Sequence, residues 1–186
     1  MRVQNKIGSI AGKMRQSNVI NQQGTTRHIW DTLQIVAGTR YYRFFEGVNT
    51  RTFPFTNLTD NKLEAGESLA CQFIYINVYD VTESTGAIAI SAPPVEIYAG
   101  ALAMELMNTI VMKPIRILSF IAAFNRMPNS AGNVYKLYTN QVILPLTPFT
   151  FPLHISKDPT ITQGHALYVQ LTVEGTGSIL SPKGTL

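Results

Sequence analysis

The stretch Leu63–Val81, LEAGESLACQFIYINVYDV, decides the fold of this chain. A turn at Ala65-Gly66 leads into its longest β-type run, Ser68 to Val81. In extended conformation Leu69, Cys71, Phe73, Tyr75, Asn77 and Tyr79 share one face, and Ala70, Gln72, Ile74, Ile76, Val78 and Asp80 the other. Only Gln72, Asn77 and Asp80 are clearly polar, so both faces are expected to be covered, as in the central strand of a β-sandwich.

Outward from this strand the pattern stays β. Thr32–Val36 and Arg40–Phe45 read as two strands around Ala37-Gly38-Thr39, followed by a polar loop from Glu46 to Asn61. Beyond the central strand, Ala87–Ile90, Val95–Ala99, Ala101–Leu106 and Ile110–Met112 read as strands. Ala101–Met112 has a rival helical reading from its Ala, Leu, Met and Glu content. Pro114 is expected to close that segment, with Ile115–Phe124 a further strand and Asn125–Gly132 a loop. Val134–Thr139 and Gln141–Leu146 suggest a hairpin across Asn140. Pro145, Pro148 and Pro152 predict an extended, edge-like stretch, and Ala166–Val173 is the last clear strand before a small, polar tail. Strands at intervals of about 8–12 residues with turns between them predict an all-β protein, a single jelly-roll-like β-sandwich spanning residues 29–186.

Residues 1–28 differ from this body. They are rich in Gln, Asn, Ser and Gly and contain no Phe, Tyr or Trp. Their apolar residues are too sparse to bury the short helix that Ala11–Ile20 could form, which predicts a flexible basic N-terminal arm. Its charges are Arg2, Lys6, Lys13, Arg15 and Arg27, with no acid among them. Residues 1–45 carry +6 and residues 46–186 carry −2, which together make the net charge of +4.

Charged residues make up 14% of the chain, well below the ordinary level of about 25%, against 45% hydrophobic residues. That balance predicts a surface partly covered by protein partners. Cys71 is the sole cysteine, which excludes an intrachain disulfide and fits a small buried side chain better than a nucleophile. No secretory signal is read at the N-terminus, and the most apolar window, Val95–Met112, is interrupted by Glu96, Glu105 and Asn108. A reducing, soluble compartment without a membrane span is therefore expected.

Candidate chemistry is thin, and no catalytic residue, metal or cofactor is expected. Gly8-x-x-x-Gly12-Lys13-Met14 is one residue short of a phosphate-binding loop, and Met14 stands where a hydroxyl would bind Mg²⁺. His154, Asp158 and His165 match no standard metal spacing. Glu64 and Glu67 sit at a strand start, where acidic residues are ordinary surface groups. Asn57-Leu58-Thr59 fits the glycosylation pattern by chance in a chain without a signal. The aromatic residues Tyr41, Tyr42, Phe44, Phe45, Phe53 and Phe55, beside Arg40, Arg43 and Arg51, form a candidate interface. Stacking on sugars or bases is one use of such a run; core packing and subunit contact are commoner ones.

Tyr41 to Val81 resembles β-jelly-roll capsid and other virion structural proteins of bacteriophages. The residues that carry the resemblance are Phe44-Phe45, Phe53-Pro54-Phe55-Thr56-Asn57-Leu58, Asn61-Lys62-Leu63 and Gly66-Glu67-Ser68-Leu69. It implies a structural subunit that self-assembles into the capsid, as shell, vertex or decoration protein, made in the host cytoplasm and residing in the virion. Its partners would be further copies, other virion proteins and, through the arm, packaged nucleic acid. A carbohydrate-binding β-sandwich using loop 46–61 is the alternative, and a small β-sandwich enzyme the third reading.

Overall fold

The computed structural model describes residues 22–91, 94–120 and 133–180. Nine strands run through them: β1 (Gln22–Gln34), β2 (Tyr41–Phe44), β3 (Ser68–Thr82), β4 (Ile88–Ser91), β5 (Ala101–Leu106), β6 (Thr109–Arg116), β7 (Asn133–Ile143), β8 (Phe149–His154) and β9 (His165–Leu180). One sheet has the order β1-β9-β3, with β7 and β4 sharing the far side of β3; the other has the order β2-β8-β5-β6. Every strand pair is antiparallel. With the short β4 set aside, the first, eighth, third and sixth strands make one layer, and the second, seventh, fourth and fifth make the other. That is the strand order of a jelly roll.

The two inner faces close on one hydrophobic core. Ile74, Ile76, Val169, Leu171 and Val173 come from the first sheet, and Phe44, Leu102, Met104, Phe149, Phe151 and Leu153 from the second. Phe45 sits between Phe149 and Phe151, with ring centroids 5.2 and 5.7 Å away.

The central strand is as long as expected, but its faces differ from simple alternation. The register against both β7 and β9 shifts between Cys71 and Phe73. The extra residue changes the parity of the strand, so Leu69 and Cys71 share the core with Ile74, Ile76 and Val78. Phe73, Tyr75, Asn77 and Tyr79 are thereby left half-buried on the outer face.

Several boundaries move for identifiable reasons. β1 begins at Gln22, so residues 22–28 of the expected arm are sheet, paired with β9 from Gln22↔Leu180 onward. The matching surprise is the tail of β9, where Glu174–Leu180 continues the strand. Its glycines fit a crowded sheet: a Cβ on Gly175 would run into the Ala70 carbonyl, and one on Gly177 would lie 3.1 Å from Arg27 Cβ. Val95–Tyr98 is a one-turn helix, α1, in place of a strand; Pro94 leads into it, and Ile97 is buried. Pro114 lies inside β6, an edge strand where a missing N–H is tolerated, and residues 118–120 turn helical where a strand was expected. β7 continues through Asn140 as one strand, with residues 137–140 bulged out of its ladder to β3, instead of folding into a hairpin.

Most unexpectedly, β8 is an interior strand between β2 and β5 in spite of Pro152. Its ladder to β5 pairs Leu153 and Thr150 but skips Phe151 and Pro152, so no strand hydrogen bond is asked of the proline there. Four expectations lie outside the described residues: the Ala11–Ile20 helix, the Asn125–Gly132 loop, residues 121–124 of the expected strand and residues 181–186 of the tail.

Candidate functional site

The most distinctive surface is the outer face of the first sheet together with the loop that overhangs it. The face is built by the parity of β1, β3 and β9. Once Ile29, Ile76, Val169 and Leu171 point inward, Trp30, Thr32, Tyr75, Tyr79, Tyr168 and Gln170 must point outward. Their polar atoms are joined in pairs across strands. Tyr79 Oη donates to Gln170 Oε1 at 3.0 Å, and Gln170 Nε2 donates to Thr32 Oγ1 at 3.2 Å. Further along, Tyr75 Oη donates to Glu174 Oε2 at 2.7 Å. Burial first, and then the Glu174 carboxylate, push the Tyr75 phenol well above its ordinary pKa, so it remains a donor.

The loop after β2 is fastened to the edge of β1 by side chains that replace a missing strand. Asn57 Oδ1 accepts from the Trp30 N–H at 2.9 Å, and Asn57 Nδ2 donates to the His28 carbonyl at 2.8 Å. Thr56 Oγ1 donates to the Trp30 carbonyl at 3.0 Å, and Trp30 Nε1 donates to the Pro54 carbonyl at 3.0 Å. Asn57 is therefore an edge cap, and both ends of its amide are engaged. Deeper in, Arg51 holds the fully buried Asp31, which also accepts from the Phe45 N–H at 2.6 Å. Burial pushes the Asp31 carboxyl above its ordinary value, while Arg51 and the Phe45 N–H pull the other way.

This fastening carries Phe53 and Phe55 out over the sheet. Phe53 is 76% exposed and meets Trp30 edge-on at 6.3 Å; Phe55 is 44% exposed and lies 6.0 Å from the Tyr168 ring. Between loop and sheet runs a groove of 290 Å³ lined by Thr32, Pro54, Phe55, Tyr79, Ile88 and Tyr168, among others.

The six aromatics singled out in the sequence thus divide. Tyr42, Phe44 and Phe45 are core residues and offer no interface: Tyr42 and Phe44 lie on the side that β2 turns to the sandwich interior, and Phe45, just past its end at φ 64°, turns in beside them. Tyr41 is 43% exposed and packs on His154 at 4.4 Å, on the other sheet. Of the six, Phe55 lines the groove, and Phe53 lines a neighbouring hollow on the loop with Arg51, Thr52 and Asn57. Of the arm cations, Arg27 belongs to β1 and is bound to Glu67 at 2.7 Å, while Arg2, Lys6, Lys13 and Arg15 lie outside the described residues.

His154, Asp158 and His165 take separate partners: the Tyr41 ring, Arg40 at 2.9 Å and Asp80 at 2.6 Å. Among the described residues, no three His, Cys, Asp or Glu side chains come together as a metal site. Glu67 is occupied by Arg27 and by the Glu64 N–H. A polar hollow of 120 Å³ on the second sheet holds Arg43 against Glu105 at 2.8 Å and Glu46 at 2.8 Å, so one guanidinium is shared by two carboxylates. The Cys71 thiol is fully buried, and burial pushes it up to about 12. No described helix is long and apolar enough to cross a membrane.

Trp30, Tyr79, Tyr168 and Gln170 were missed by the sequence reading. The signal was present in the alternation Tyr168, Gln170, Thr172, Glu174 of β9, but it became legible only once the bulge in β3 fixed which face was outward.

No protein-family model matches this chain, and no curated protein matches it. Among solved structures, it is similar to dimeric latent PorU from Porphyromonas gingivalis, at 11% identity and a TM-score of 0.25. The alignment covers 84% of this chain and 13% of that one, so the chain spans a small fraction of that protein's length, and a likeness this slight carries no argument about function.

Proposed function

We propose that the chain is a structural subunit of a virus particle, on the sequence resemblance a bacteriophage, that self-assembles as a shell, vertex or decoration protein. The observation that carries this reading is the jelly-roll strand order, an architecture used by viral capsid domains and also by lectins and cupins. That support is fold-level analogy, and charge distribution adds to it. The four cations of residues 1–21, with no acid among them, equal the whole net charge of +4, so the rest of the chain is neutral. A neutral sandwich with a basic extension suits tiling by the body and neighbour or nucleic-acid contact by the extension. Light scattering of the purified full chain tests this: large closed particles support it, and a monomer at all concentrations opposes it.

The second reading, a carbohydrate-binding sandwich, rests on the exposed Phe53 ring beside Trp30. Exposed aromatic rings stack on sugars in such modules. Glycan binding by a strictly monomeric chain would favour it over assembly.

A further inference from the structure

We propose that the groove on the outer face of the first sheet is the receptor for the Val19-Ile20 end of the segment 1–21 of a second copy of this chain. The inference rests on the assembly reading and adds to it the surface on which a neighbour's extension lies.

The groove is selective for apolar side chains. Its sides are Phe55, Tyr168, Pro54 and Ile88, and Ile88 is 70% exposed. The polar atoms on its floor are already bonded to one another, Tyr79 to Gln170 and Gln170 to Thr32. A sugar would find those groups engaged, whereas an aliphatic chain needs only the rings and the methyl groups.

Residues 1–21 supply what the groove lacks. They carry Val3, Ile7, Ile10, Met14, Val19 and Ile20, and no Phe, Tyr or Trp. Aliphatic and thioether groups pack well on aromatic walls. Their four cations have an acidic counterpart in Glu83, exposed on the turn between β3 and β4 just beyond the groove residue Val81. The groove holds 290 Å³, room for a pair such as Val19-Ile20.

For the pair Val19-Ile20, reach identifies the donor as another copy. Gln22 begins β1 and Thr32 lines the groove, ten residues along the same strand, or about 33 Å. Val19 and Ile20 precede Gln22 by only three and two residues, a reach of about 10 Å, and cannot return to their own groove. The groove of an adjacent subunit is open to them.

Cross-linking tests this in the full chain, since the buried Cys71 stays silent toward maleimides. Full-length Ile20→Cys and Ile88→Cys chains are mixed, assembled and treated with a short bis-maleimide. A control mixture pairs Ile20→Cys with Tyr138→Cys, an 86% exposed site on β7. The expected result is at least a ten-fold excess of I20C–I88C product over the control, appearing only in assemblies. Full-length Ile88→Asp, altered at an exposed position, should keep its melting temperature and need at least ten-fold more protein to assemble. Assemblies that form without preferential cross-linking overturn this inference and leave the assembly reading standing. Cross-linking within single diluted chains of the double variant overturns it too, by placing the segment in its own groove. A chain that never assembles removes both.

Discussion

Arg51 grips Asp31 through two parallel hydrogen bonds, Nε to Oδ1 at 3.0 Å and Nη2 to Oδ2 at 2.7 Å, and so ties the loop after β2 to the wall of the sandwich. The carboxylate is fully buried while the arginine side chain is 22% exposed, so the arginine is the natural partner to remove. Arg51→Ala leaves a buried charge without its partner and should cost about 3–5 kcal/mol at pH 7. The Asp31 carboxyl is already raised by burial, and losing Arg51 raises it further. A raised folded-state pKa gives stability that is present at low pH and lost as pH rises through it. The cost of Arg51→Ala should therefore be larger at pH 7 than at pH 4. Urea unfolding of both proteins at the two pH values checks this, and an equal cost at both would deny the coupling.

Cys71 is predicted to be chemically silent in the folded protein. Its thiol is buried and pushed up to about 12, so at pH 8 it offers neither thiolate nor access. Labelling by a thiol reagent should follow unfolding, with native protein unlabelled over the time in which unfolded protein reacts fully. Cys71→Ser should lower stability by about 1–3 kcal/mol by placing a hydroxyl in the core. Fast labelling of native protein would contradict the burial.

Asn57 should act as a strand substitute. Asn57→Ala frees the Trp30 N–H and the His28 carbonyl at the edge of β1, two bonds worth about 0.5–1.5 kcal/mol each. The global fold should persist while the Trp30 amide exchanges faster and the loop after β2 becomes more sensitive to protease. Unchanged exchange at Trp30 would show that the loop is held by other contacts.

Gly175 is predicted to tolerate no side chain. A Cβ there meets the Ala70 carbonyl in the neighbouring strand, so Gly175→Ala must part β9 from β3. A loss of about 3 kcal/mol, at the upper end for overpacking, should appear in thermal unfolding. An unperturbed melting temperature would contradict the close approach.

How much of this was legible in sequence follows from what each segment says about itself. The central strand was readable because Leu69 to Val81 is a long β-type run whose apolar side chains have nowhere to go but a covered sheet. The bulge was not, since nothing in Cys71-Gln72-Phe73 marks where two partners will slip register. Gln22–His28 and Glu174–Leu180 read as polar or glycine-rich chain, yet each supplies the other's ladder, a long-range pairing invisible in either alone. The prolines pointed to an edge, but the sheet absorbs Pro152 in an interior strand by leaving Phe151 and Pro152 out of the ladder to β5. Of the candidate interface, Phe53 and Phe55 were visible, whereas Tyr42, Phe44 and Phe45 looked the same in sequence and went to the core. Composition cannot distinguish an aromatic residue that faces inward from its neighbour that faces outward.

The proposed assembly runs through the segment that precedes β1. Because β1 starts at Gln22, the informative deletion removes residues 2–21 and leaves the strand intact. Sedimentation velocity of the full and truncated chains side by side tests it most directly. Large closed particles are expected from the full chain, and a folded subunit lighter than the 20.6 kDa full chain, or a small oligomer of it, from the truncated one. Particles of normal size from the truncated chain, or a monomer from the full chain at every concentration, would contradict it.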